Sequence, residues 1–216
     1  MKRYKAIQLV LTALLGLQAC GGGIVKEIPA KPDAGTKYIF YLHGSAEEIS
    51  GASAKYQTTI ESIASDSATV ISEVRGDTDP NTYAEKLHAQ VKVLLASGVP
   101  ASSITISGFS KGAIIALAAA GVINRPDVNY VLLAGCAEDL NDKYNVAASQ
   151  AVGRILSIYD LDDENFGSCE GVLKTSDRLV FEEIALESGK GHKLFRIPKD
   201  KFIQLWLAPL LDWAGA

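Results

Sequence analysis

Apolar positions in this chain fall into two patterns, short continuous runs and repeats at helical spacing. The short, largely apolar runs are Lys37 to Leu42, Ala68 to Val74, the stretch from Ser103 to Phe109, Val128 to Ala134, Gly153 to Tyr159 and Arg178 to Leu186. Lys37 to Leu42, apolar without alternation, predicts a strand buried on both faces, and the other segments read as strands as well. Between them, Tyr56, Ile60 and Ile63 predict a helix over 53–65. Tyr83, Leu87, Val91, Leu94 and Leu95 predict another, opened at Asp79 or Pro80 and closed by Gly98. Alanine-rich residues 111–121 continue as a third helix and 138–148 as a fourth. Phe202, Leu205, Trp206, Leu210 and Trp213 line a C-terminal helix over 199–213 that contains Pro209.

Strands alternating with helices imply an α/β fold: a mostly parallel central sheet of about six strands, right-handed crossovers and helices on both faces. The length of 216 residues suits one such domain, with no room for a separate cap. Functional groups of such sheets gather where the strands end. His43, Arg75, Ser110, Cys136, the acids of 160–163 and His192 all follow a predicted strand. Gly108-Phe109-Ser110-Lys111-Gly112 stands out among them, because it fits the G-x-S-x-G elbow between a strand and a helix. Glycine on both sides of the serine lets strand and helix cross closely.

On these residues the chain from Lys37 onward resembles the α/β-hydrolase family. The features are His43-Gly44 after the first predicted strand, the Ser110 elbow, the acids after Tyr159 and Gly191-His192 after the last strand. Their order, serine, acid, histidine, is the order of that fold. The resemblance implies a small, uncapped serine hydrolase acting on a carboxylic ester or thioester. Ser110 would be the nucleophile, His192 the base and Asp163 the acid, with Asp160 the alternative and Asp162 less favoured. The backbone N–H of Lys111 would stabilise the oxyanion, joined by that of Ser45 or Ala46. An amidase or peptidase, or a non-catalytic envelope lipoprotein, are the competing readings. His43 belongs to the turn shaping the oxyanion loop, and His88 to a solvated helix face. The Lys111 side chain is expected in solvent. Arg75 either orients an anionic substrate or pairs with Asp77 or Asp79.

Composition narrows the partners. A net charge of −4 offers no basic footprint for nucleic acid. The three histidines are dispersed and no H-x-x-x-H or C-x-x-C spacing occurs, so neither a metal nor another cofactor is called for. The expected partner is a small-molecule or lipid-like acyl substrate; oligomeric state is left open.

The beginning of the chain changes the picture. Met1 to Lys5 is basic and Ala6 to Leu17 apolar, the proportions of a signal peptide over 1–19. Leu17-Gln18-Ala19-Cys20 resembles the lipobox of bacterial lipoproteins, which implies lipidation at Cys20 and attachment to the membrane of a bacterial cell envelope. Residues 20–36 then read as the lipid-anchor cysteine and a flexible tether, and 37–216 as the catalytic domain. Export would place Cys136 and Cys169 in an oxidising compartment. Each follows a predicted strand and the two strands are expected as neighbours, so a disulfide between them is open, as are two buried free thiols.

Overall fold

The computed structural model describes residues 22–64, 68–137, 148–174 and 176–216. The expected signal peptide, Cys20 and nearly all of the helix expected over 138–148 lie outside the described residues.

Seven parallel strands form one sheet in the order β1-β3-β2-β4-β5-β6-β7. They are β1 (Ile24–Val25), β2 (Lys37–Leu42), β3 (Ala68–Ile71), β4 (Ile104–Phe109), β5 (Asn129–Leu133), β6 (Gly153–Asp160) and β7 (Leu179–Leu186). Helices are α1 (Ser45–Ser50), α2 (Ala54–Ile63), α3 (Pro80–Ala96), α4 (Lys111–Ile123), α5 (Glu170–Leu173) and α6 (Asp200–Ala214), with a 3₁₀ segment over Gly191–Arg196 before the last. Strand periodicity sorts the core into two layers. Tyr38, Phe40, Leu42, Ile104 and Ile106 pack with Leu87, Val91 and Leu94 of α3 and with the alanine face of α4. Ile39, Tyr41 and Phe109 point the other way, onto Tyr56, Ile60 and Ile63 of α2 and Trp206 and Leu210 of α6.

The central strands β2, β4, β5 and β6 are buried along nearly all of their length because both faces are covered. Asp79 caps α3 by accepting the N–H groups of Asn81 and Thr82 at 3.0 Å each, with Pro80 at the first helical position.

Three expectations change. The sheet has seven strands, not about six, because Ile24–Val25 adds an edge strand. Val70 N–H donates to Gly23 O at 2.8 Å and Ser72 N–H to Val25 O at 2.9 Å. The segment expected as a tether through residue 36 is therefore part of the fold from Gly23 onward; two residues are too short a run to announce a strand. Third, the strand expected from Ala68 to Val74 ends at Ile71; the polar stretch after His43-Gly44 forms the short helix α1.

All strands run the same way, so Leu42, Phe109, Leu133, Asp160 and Leu186 end along one edge of the sheet. The chemistry-bearing residues gather there.

Candidate active site

The elbow is built by steric exclusion. Ser110 sits at φ 55°, ψ −120°, in a region that residues with a side chain rarely enter. Such backbone costs about 1–3 kcal/mol and persists only where the surroundings enforce it. Here they do. A Cβ on Gly112 would lie 2.0 Å from the carbonyl oxygen of Leu42, and one on Gly108 would lie 2.2 Å from that of Gly112. Strand and helix thus touch backbone to backbone. Ser110 N–H donates to Leu133 O at 3.0 Å, while Ser110 O accepts the first helical N–H groups, from Ala113 at 2.8 Å and Ile114 at 3.1 Å. The hydroxyl is left standing at the sheet edge, where Ser110 is partly exposed.

Histidine and acid reach it from two neighbouring loops. Ser110 Oγ donates to His192 Nε2 at 3.0 Å, and His192 Nδ1 donates to Asp163 Oδ2 at 2.7 Å. A carboxylate can only accept, so the proton belongs on Nδ1 and Nε2 faces the hydroxyl with its lone pair. The Asp163 side chain is fully buried. Its other oxygen accepts the N–H groups of Asn165 at 3.1 Å and Phe166 at 3.0 Å. The Phe166 ring stacks on the imidazole with centroids 4.6 Å apart, and Phe109 lies 4.8 Å away on a tilt. The ring of His192 is therefore held by a carboxylate and two aromatic rings.

Asp160 does different work. Its Oδ1 accepts from the N–H of Asp162 and of Gly191 at 3.1 Å each, and its Oδ2 from the N–H and hydroxyl of Ser188. Burial alone would raise its pKa, but the bonds from Ser188, Asp162 and Gly191 outweigh that and hold it below the usual carboxylate range. It has no bond to His192. It ties the acid loop to the histidine segment. Gly191 completes the junction: at φ 55° its missing Cβ would fall 2.5 Å from Asp162 O. Asp162 is exposed.

The turn after β2 is assembled around His43, which is buried. Its Nδ1–H donates to Gly44 O at 2.9 Å and its Nε2 accepts the N–H of Arg75 at 3.0 Å, a pattern that suits the neutral ring. Burial, with some help from Arg75, keeps its pKa below the ordinary value against the opposing bond to Gly44. The turn then lies on the elbow, since a Cβ on Gly44 would meet the Phe109 ring at 3.1 Å and Ser110 Cβ at 3.5 Å. Ser45, the residue after Gly44, opens α1, and Lys111, the residue after Ser110, opens α4.

Arg75 and the Lys111 side chain depart from expectation. Arg75 is buried and pairs with Glu48 at 2.9 Å, with neither Asp77 nor Asp79; its Nη2 donates to His43 O. Its Nη1 is buried without a hydrogen-bond partner among the described residues. Lys111 Nζ is not in open solvent: it donates to Glu48 Oε2 at 2.7 Å and to Asp77 Oδ1 at 2.9 Å. Its desolvation alone would lower its pKa; Asp77 and Glu48 more than reverse that. Cys136 and Cys169 are joined by a disulfide. Gly167 N–H donates to Cys136 O at 2.8 Å and Cys169 N–H to Glu183 at 2.7 Å, so the far end of the acid loop is fixed as well. Sequence reasoning missed Glu47, Glu48, Phe166 and Ser188. None lies in a motif, and each matters only through partners remote in the chain.

Comparisons with known proteins agree with this architecture. A family model described as phospholipase/carboxylesterase matches residues 77–174, which contain Ser110 and Asp163. An esterase/lipase from an uncultured bacterium shares 15% identity, with TM-score 0.56, covering 87% of this chain and 80% of its own. The chain is an α/β hydrolase in fold. A serine hydrolase without a lid from Xanthomonas campestris superposes with TM-score 0.55 at 17% identity, over 88% of this chain and 86% of the other. For the esterase Est1E of Butyrivibrio proteoclasticus, bound to ferulic acid, the values are 0.54 and 13%, over 87% and 91%. No curated protein matches the chain by sequence.

Proposed function

We propose that the protein is a serine hydrolase that cleaves a carboxylic ester or thioester through an acyl-enzyme. The observation that carries this reading is the relay from Ser110 Oγ through His192 to buried Asp163, set on a strained elbow. His192 Nε2 takes the hydroxyl proton as Ser110 Oγ attacks the acyl carbon, and Asp163 stabilises the imidazolium that forms. The carbonyl oxygen becomes an oxyanion between the backbone N–H of Lys111 and that of Ser45. Collapse expels the alcohol or thiol, which leaves with the proton from His192. A water then repeats the sequence on the acyl-serine and releases the acid.

The test is turnover of a panel of p-nitrophenyl esters and acyl thioesters from two to twelve carbons, alongside matching anilides. We expect esters and thioesters to be cleaved and Ser110→Ala to abolish it. Faster cleavage of the anilides would make the protein an amidase. No turnover of any member would count against the reading.

We also propose that Cys20 carries lipid. In support, Leu17-Gln18-Ala19-Cys20 follows a basic and then apolar leader; only Gly21, Gly22 and Gly23 then separate Cys20 from β1, at most about 11 Å of extended chain. Because β1 is parallel to the other strands, the chain enters at the sheet edge opposite Ser110. The site would then face away from a bilayer, toward soluble acyl compounds. Labelling with a radioactive fatty acid should mark the protein; label retained in Cys20→Ser would remove the anchor.

A further inference from the structure

The two oxyanion donors are held in place by very different means. Lys111 N–H opens α4, which is packed into the core along most of its length. Ser45 opens α1, six residues long, in which only Glu47 is buried and Ile49 is 88% exposed. A helix of that length does not persist alone, and apolar packing does not fasten this one. Its visible side-chain links to the rest of the molecule are two adjacent carboxylates. Glu47 accepts from Arg196 Nη2 at 3.0 Å, on the 3₁₀ segment that carries His192. Glu48 accepts from Arg75 Nε at 2.9 Å with one oxygen and from Lys111 Nζ at 2.7 Å with the other. Arg75 in turn donates to His43 O, at the root of the turn that leads to Ser45.

We infer that Glu48 is a positioning residue for the oxyanion hole, a single carboxylate that ties the Ser45 loop to Lys111 across the nucleophile. The inference rests on the hydrolase reading above. Glu48 touches no substrate. It fixes the distance between two backbone donors, one on each of the segments it bridges. Its influence is therefore felt where the oxyanion forms and not where the ground-state ester binds, because only the developing charge needs both donors in register. The Lys111 side chain has a use within this arrangement, as the arm by which α4 grips Glu48, while its backbone N–H does the chemistry.

The experiment compares wild type, Glu48→Gln, Lys111→Met and the double variant, each normalised by active-site titration with a fluorophosphonate. Lys111→Met keeps the backbone N–H and changes a partly exposed side chain, so it tests the same link should Glu48→Gln fail to fold. With a short soluble ester, kcat should fall about 10- to 100-fold in either variant while KM stays within about twofold. Affinity for an alkylboronic acid, which forms a tetrahedral adduct on serine, should weaken by the same factor as kcat/KM. The double variant should be no more than about threefold worse than the weaker single, because both remove one link. Ile49→Ser, on the solvent side of α1, should keep wild-type kcat. A kcat within threefold of wild type, a loss confined to KM, or losses that multiply in the double variant would overturn the inference. Should wild type neither turn over the ester nor take up the fluorophosphonate, the hydrolase reading fails and takes this inference with it.

Discussion

The elbow and the loops that surround it present the same edge of the sheet with opposite construction. At Gly108 and Gly112, strand and helix meet backbone to backbone, and α4 is buried along nine of its thirteen residues. Opposite, α1 and the acid loop bring few apolar side chains inward, and the histidine segment adds polar ties to its two core anchors, Leu194 and Phe195. They are held by Glu47 and Glu48, by the four bonds into Asp160 and by the Cys136–Cys169 disulfide. Ser110 is thus fixed by close packing, while the segments around it rely in large part on polar and covalent ties. Dispersion and excluded volume set a position to within a fraction of an ångström. Directional polar bonds let three separate loops converge on one point.

The contrast can be broken from either side. The largest effect is expected from Asp163→Asn, which keeps the loop but puts the wrong hydrogen-bonding group against His192 Nδ1; kcat should fall about 10³- to 10⁴-fold, read with a soluble ester. Gly112→Ala attacks the packed side. With its methyl 2.0 Å from Leu42 O it should cost about 4 kcal/mol or more in urea unfolding, beyond the usual range for overpacking. A cost below 1 kcal/mol would show that the elbow can relax and that packing does not set Ser110.

Reducing the disulfide, which closes a loop spanning 33 positions, should cost about 3.5 kcal/mol, measured by chemical denaturation with and without reductant. Asp163 lies inside that loop, so activity should drop with it. Asp160→Asn should cost about 3 kcal/mol, because a carboxylate accepting several bonds becomes an amide with one acceptor. The pH dependence follows from the same residue. Its pKa is lower folded than unfolded, so its stabilisation is complete above the unfolded value near about 4 and is lost as pH falls through the folded one. The difference in stability between wild type and Asp160→Asn should therefore shrink below about pH 4; a constant difference would mean that Asp160 acts through shape alone.

The same division explains what could be read from the sequence. The elbow was legible because its demands are local: a strand, two glycines around a serine, and a helix rich in alanine, all within about twenty residues. The parallel sheet was legible because continuous apolar runs between helical repeats leave little choice. The polar ties were not. Glu48 pairs with Arg75 and Lys111, 27 and 63 positions away, whereas proximity in sequence pointed Arg75 to Asp77 and Asp79. The stretch Ser45 to Ser50 carries no apolar period that would announce a helix, and its one large apolar residue, Ile49, faces solvent. Between Asp160 and Asp163 composition offered no choice. The choice lies in the backbone N–H groups that saturate Asp160 and in the reach of Asp163 to a histidine 29 residues later.

The most direct measurement is mass-spectrometric mapping of the folded protein after exposure to a fluorophosphonate. The account predicts one adduct per chain, on the peptide containing Ser110, formed slowly in Asp163→Asn and absent in Ser110→Ala. An unmodified protein, or an adduct that persists in Ser110→Ala, would contradict it.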